Sequence, residues 1–205
     1  MSNAIIESLV SRRTISLYDS AFTVSDDQIR ELVKVATTAP TSFNMQNWRF
    51  IAVRTPEAKA RLRAVAWDQA KITDAAVTFI ICGQLADHRV LPGRLAPAVE
   101  AGIMPAKVAI GFEDAARGLY FEQPQLQRDE AVRTGAIGAT ALIYAAHALG
   151  LGSSPMIGFD ADAVVREFAL AQDEVPVMLL SVGSALPENW PQKPRRSLAE
   201  VLDFA

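Results

Sequence analysis

The sequence predicts an α+β fold. Helical patterns outnumber strand patterns, the two do not alternate strictly, and the run "AAVTFIICG" is apolar throughout, as suits a central strand covered on both faces. No repeat, low-complexity tract or linker divides the 205 residues, so a single domain over 1–205 is expected.

Taken in order, residues 3–12 have the length of a short helix ending in a basic pair. Ser25 followed three residues later by Gln28 is a capping box. Ile29, Leu32, Val33 and Ala36 then keep helical spacing until Pro40 stops the helix. "WRFIAVR" is a strand, and Thr55 caps a further helix with Pro56 in its first position. After the central strand, residues 85–127 show no regular pattern, only scattered Pro, Gly and aromatics. A long small-residue helix runs from Arg128 to about Leu149 and closes at Gly150. Asp160 caps "DADAVVREFAL", "VPVMLLSVG" is the third strand, and "KPRRSLAEVLDFA" ends the chain.

Half of the residues are apolar and 21% are charged, which is the composition of a globular chain able to fill a core without staples. A net charge of −3 argues against general nucleic-acid affinity, which needs a basic face. From Thr134 to Phe159 there is no charged residue, a length that raises the question of a membrane span. Gly135, Gly138, Gly150, Gly152 and Pro155 break that run, so a helix buried in a core or dimer interface is expected, with no membrane partner. The single cysteine, Cys82, lies in an apolar run without polar flanks and reads as a buried structural thiol. One thiol and the absence of a secretory layout at the start point to the cytoplasm.

Much chemistry is missing. His88 and His147 are far apart in sequence and lack Cys or His companions, so no zinc spacing exists. There is no Walker sequence and no G-x-S-x-G elbow. "GLGSSP" lacks the third Gly of a dinucleotide fingerprint and follows a helix. If the chain is an enzyme, a cofactor carries the hard step.

Two basic clusters, "SRRT" at 11–14 and "KPRR" at 193–196, are each a solvated patch as readily as a phosphate grip; together they favour an anionic ligand. The connector "APTSFNMQNWRF" at 39–50 gathers Thr41, Ser42, Asn44, Gln46 and Asn47. Such groups suit a heterocycle edge bearing carbonyls and ring nitrogens, or a loop held by its own hydrogen bonds. The residues alone leave both open.

"SRRTISLYD", "APTSFNMQNWRFIAV", "WDQAKITDAAVTFII", "GAIGATALIYAAHALGLGSSPMIGFD", "EVPVMLLSVG" and "KPRRSLAEV" follow one another over nearly the whole chain. In that order they resemble the FMN-dependent nitroreductase family. The resemblance implies a nitroreductase-like fold, with a central, mainly antiparallel sheet flanked by helices, in an intertwined homodimer with FMN at the subunit interface. Arg12, Arg13 and Thr14 would hold the phosphate and ribityl end, and Lys193 and Arg195 would close on the same phosphate. Pro40, Thr41, Ser42 and Asn44 would line the flavin from the partner chain. Pro155, Met156, Ile157 and Gly158 would lie along the ring, with the Ile157 N–H toward N5 and Lys71 near the N1/O2 edge.

The implied activity is ping-pong hydride transfer from NADH or NADPH through FMN to a nitroaromatic, quinone or related small aromatic acceptor. Other redox tasks on this fold, dehydrogenation or dehalogenation, and non-catalytic FMN or ligand binding are the alternatives. Residues 85–127 would cover the flavin, with Phe112, Tyr120 and Phe121 either stacking on an acceptor or packing in the core. Arg128 and Arg133 would meet nicotinamide-cofactor phosphates or solvent. Three positions depart from the family pattern. Ser16 replaces a third basic residue, Asn47 replaces a Pro before Trp48, and Asp68 stands where Asn is common near the N3/O4 edge, unless Gln69 takes that role. An Asp68 carboxylate would accept from N3–H but could not donate to O4, and its charge would disfavour reduced flavin.

Overall fold

Apolar β2 (Val77–Gln84) is buried from Val77 to Gly83 and lies inside the sheet, as its sequence requires. In the computed structural model, which describes residues 3–205, it pairs with β1 (Trp48–Val53) on one side and β4 (Glu174–Gly183) on the other. β3 (Gly152–Met156) closes the sheet on the far edge of β4, giving the order β1–β2–β4–β3 with every pairing antiparallel. The α+β expectation holds.

Helices cover both faces. On one face α2 (Asp26–Ala36) and α7 (Pro124–Ala148) share a core with Phe79, Ile81, Leu180 and Val182. On the other, α3 (Pro56–Ala64) and α8 (Ala161–Glu167) pack around Ile80, Leu179 and Met156. The predicted caps are present: Ser25 and Gln28 bond reciprocally, Thr55 accepts from Ala58 N–H, and Asp160 accepts from Ala163 N–H. The short first helix is α1 (Ala4–Ser11).

The charge-free run is explained by close packing of α7 on the sheet. A β-carbon on Gly83 of β2 would lie 1.8 Å from the Ala131 carbonyl oxygen, and one on Gly138 would lie 3.0 Å from the Phe50 ring. Small residues let the helix backbone sit directly on the strands. No helix among the described residues is long and apolar enough to cross a membrane.

Three expectations need correction. Residues 85–127 are largely helical, with α5 (Leu91–Glu100) and α6 (Ala106–Tyr120), and α7 begins at Pro124 instead of Arg128. The apolar positions of α6 that pack with Met45 and with Leu91 and Leu95 of α5, Ala109, Phe112, Ala116 and Tyr120, do keep helical spacing, but Gly111 and Gly118 mask the pattern, as Pro97 does in α5. Secondly, "GSSPM" is a strand although Gly, Ser and Pro disfavour strands; as an edge strand it tolerates Pro155. Finally, a one-turn helix, α4 (Lys71–Asp74), precedes β2 and was not expected.

Candidate functional site

Residues 12–16 run beside β3: Thr14 bridges Ser153 in parallel, and Ile15 N–H donates to the Ser153 carbonyl at 2.9 Å. Thr14 and Ser16 line a cleft of about 110 Å³ with Trp190, Pro191, Gln192, Lys193 and Arg195. Arg12 and Arg13 line a second cleft, of about 290 Å³, with His147 and Ser153. The two basic clusters are thus brought to one segment but face separate clefts. Asn189, which sequence reasoning missed, makes this possible. It is 8% exposed, its Oδ1 accepts from Ser16 and Leu17 N–H, and its Nδ2 donates to the Leu17 and Leu186 carbonyls. That clasp fastens the tail across from Thr14.

Among the described residues, Arg12, Arg13, Lys71, Lys193 and Arg195 have no carboxylate within salt-bridge distance. Lys193 Nζ sits 5.4 Å from the Trp190 ring centre, and the Arg12 guanidinium lies 5.9 Å from that of Tyr144. Burial lowers the pKa of Lys71 below the ordinary lysine value, and the Lys193 ammonium lowers it further. Gathered like charges without counter-ions raise the free energy of the free protein and are relieved by an anion.

At the end of β3, Met156 is buried while Ile157 is 82% exposed. Gly158 has no room for a side chain, since a β-carbon there would lie 2.8 Å from the Trp67 ring. Gln69 Nε2 donates to the Gly158 carbonyl at 2.7 Å and locks this approach. Trp67 and Asp68 both have φ of 53°, a left-handed turn that side chains adopt only when their surroundings hold them. Asp68 is paired: Arg63 Nε donates to its Oδ1 at 2.6 Å while Arg63 Nη1 donates to Thr73. Two residues before Met156 on β3, the buried Ser154 hydroxyl has no hydrogen-bond partner.

The 39–47 connector is built differently. Phe43, Asn44 and Gln46 have φ of 53°, 55° and 51°, and Met45 is fully buried against α5 and α6. Thr41 Oγ1 accepts from Gln46 N–H, and Gln46 Nε2 donates to Asn44 Oδ1. Ser42 Oγ lies 3.1 Å from the Tyr120 hydroxyl. Pro40 is exposed where the connector leaves α2. Asn47 is 4% exposed; its Nδ2 donates to the Gln84 carbonyl at 2.7 Å and its Oδ1 accepts from Thr134 at 3.0 Å. The loop holds itself with its own polar groups, and Asn47 ties it to the end of β2 and to α7.

Sheet register shows how these regions sit. Trp48, which the connector feeds, pairs with Gly83, which pairs with Val175; Ser153, beside Thr14, pairs with Val182, which pairs with Val77. With three strand spacings across and six residues along, the two lie at diagonal corners, about 14 Å across and 20 Å along. One chain therefore brings together Arg12, Arg13, Thr14, Asp68, Gln69, Lys71, Pro155–Gly158, Lys193 and Arg195 around the β3 edge, and leaves Pro40, Thr41, Ser42 and Asn44 at the other corner.

The remaining candidates have structural partners. Cys82 is fully buried, and burial, with Glu174 nearby, pushes its thiol up to about 12, so it is inert. His147 Nε2 lies 3.1 Å from Ser11 Oγ and ties α1 to α7. Arg133 pairs with Glu130, and Arg128 is exposed. Phe112 and Tyr120 pack on Phe43, whereas Phe121 stays half exposed beside His88. No group of three metal-ligating side chains occurs among the described residues.

Comparison with known proteins gives one answer. YdgI of Bacillus subtilis strain 168, assigned by its name to the NAD(P)H nitroreductases, is 32% identical over 193 residues, covering 92% of each chain. The protein DrgA of Synechocystis is 32% identical over 189 residues, covering 92% of this chain and 87% of that one. A nitroreductase-type protein of Exiguobacterium sibiricum, crystallised in complex with FMN, superposes with a TM-score of 0.90 at 28% identity, covering 100% of this chain and 99% of that one. The family model described as the Nitroreductase family matches residues 9–184, and the chain belongs to that family.

Proposed function

We propose that the chain is an FMN-dependent oxidoreductase that uses NADH or NADPH and acts as a homodimer in the cytoplasm. The observation that carries this is the set of five cations without carboxylate partners around the β3 edge, a donor set that fits a phosphate-bearing ligand. Thr14, Lys193 and Arg195 would hold the phosphate, with Arg12 and Arg13 flanking it from the neighbouring cleft. Lys71 would favour negative charge on the bound ring, and Pro155–Gly158 with Trp67 and Gln69 would form its floor. When bound, FMN supplies the chemistry, taking a hydride from the nicotinamide cofactor and passing it to a nitroaromatic, quinone or related acceptor. The side chains orient, neutralise and exclude water; none need serve as an obligatory acid or base.

The diagonal separation of the two corners supports a site completed by a second chain, the 39–47 connector of one lining the flavin of the other. Unpartnered apolar surface supports assembly too. No residue of α1 is buried, Ile5 and Val10 are 70% and 72% exposed, and the tail presents Leu198, Val201 and Phe204. Helices α5 and α6 would cover the acceptor side. The test is the visible spectrum of the purified protein and NAD(P)H oxidation with an added quinone. Flavin absorption with acceptor-dependent turnover is expected. A colourless protein that cannot be reconstituted with FMN overturns the reading, and bound flavin without turnover leaves a binding role.

A further inference from the structure

Behind the 39–47 connector, a chain of hydrogen bonds runs from the buried Glu130 side chain to the half-buried hydroxyl of Ser42. Glu130 of α7 is 2% exposed, and Arg133, one turn on, pairs with it. A carboxylate can only accept. Tyr120 OH donates to Glu130 Oε2 at 3.1 Å, and burial, foremost, raises the pKa of the phenol so that it keeps its proton. That proton is its only one. The contact of 3.1 Å between Ser42 Oγ and Tyr120 OH must therefore run from Ser42 to Tyr120. On the other side of the carboxylate, Thr134 Oγ1 donates to Asn47 Oδ1 at 3.0 Å and lies 3.3 Å from Glu130 Oε1, which fixes the connector from its far end.

We infer that Glu130 and Tyr120 are positioning residues that set the polarity of Ser42: its proton is turned inward, and it offers only lone pairs to the ligand. The inference rests on the reading that Ser42 lines FMN, and it specifies that the flavin group facing Ser42 is a donor, a ribityl hydroxyl or a ring N–H. A hydroxyl whose direction is fixed before binding loses no rotational freedom on complex formation. A hydroxyl free to rotate does.

The experiment titrates FMN into flavin-stripped protein and its variants, with thermal midpoints recorded alongside. Ser42→Ala, Tyr120→Phe and Glu130→Leu are each expected to weaken FMN binding by about three- to tenfold, the effect of one hydrogen bond. Glu130→Gln is expected to restore wild-type affinity, because an amide oxygen still accepts from Tyr120. In the Ser42→Ala background, Tyr120→Phe is expected to cost nothing more, since its effect passes through Ser42. An equal cost with and without Ser42 overturns the inference and makes Tyr120 a merely structural support. So do variants that bind FMN like the wild type. A wild-type protein that takes up no FMN overturns the functional reading and this one with it.

Discussion

The two corners of the sheet solve opposite problems. The β3 corner collects cations on an extended segment, a one-turn helix and a tail, and gives them no counter-ions. The connector corner satisfies its polar groups internally and stores left-handed backbone at three residues, with Asn47 buried as the anchor. One corner is completed by what it binds; the other is finished before binding. Charge removal should therefore harm ligand affinity at the first and spare stability, whereas removal of the Asn47 anchor at the second should cost stability first.

The largest expected effect is at the β3 corner. Lys193→Ala together with Arg195→Ala should weaken FMN binding at least about a hundredfold, because a charged hydrogen bond contributes roughly 1.5–3 kcal/mol. The flavin-free protein should keep or slightly raise its urea midpoint, since Lys71 loses a like charge. Loss of stability with unchanged affinity would erase the contrast between the corners.

Next comes Asn47→Pro, the residue the family commonly carries there. Pro would remove the bonds to Gln84 and Thr134 and would push Gln46 out of its left-handed conformation, because a residue before Pro is forced toward extended backbone. A loss of about 2–3 kcal/mol of stability is expected from urea unfolding. A neutral result would show that this connector tolerates the more usual geometry.

The smallest effect concerns Asp68. Asp68→Asn should raise the midpoint potential of bound FMN and Arg63→Ala should lower it, each by less than about 1 kcal/mol, because the carboxylate is largely solvated and already paired. Spectroelectrochemical titration of both variants checks the opposite signs. Shifts of the same sign would mean that Asp68 acts on structure, not charge.

Much of this was legible beforehand. Capping residues, the apolar β2 and the small-residue α7 each carry their structure locally, and the expected helices and central strand lie where Ser25, Thr55, Asp160 and Gly83 place them. What escaped depends on partners distant in sequence. β3 is a strand because β4 offers it an edge, not because "GSSPM" prefers one. The pairing of Asp68 with Arg63 needs the left-handed turn at Trp67 and Asp68. Asn47 and Asn189 read as ordinary polar residues until burial turns each into a clasp. Residues 85–127 hid two helices because Pro and Gly interrupt a spacing that the Met45 core nevertheless uses.

The diagonal placement of the corners has a genetic consequence. If each site takes one corner from each chain, a chain lacking Lys193 and Arg195 and a chain lacking a working connector are both inactive alone. Mixed dimers of the two then contain one site with both defects and one with neither. Random pairing makes half of the dimers mixed, so about a quarter of all sites would be whole. Two dead proteins would rescue each other on reassembly.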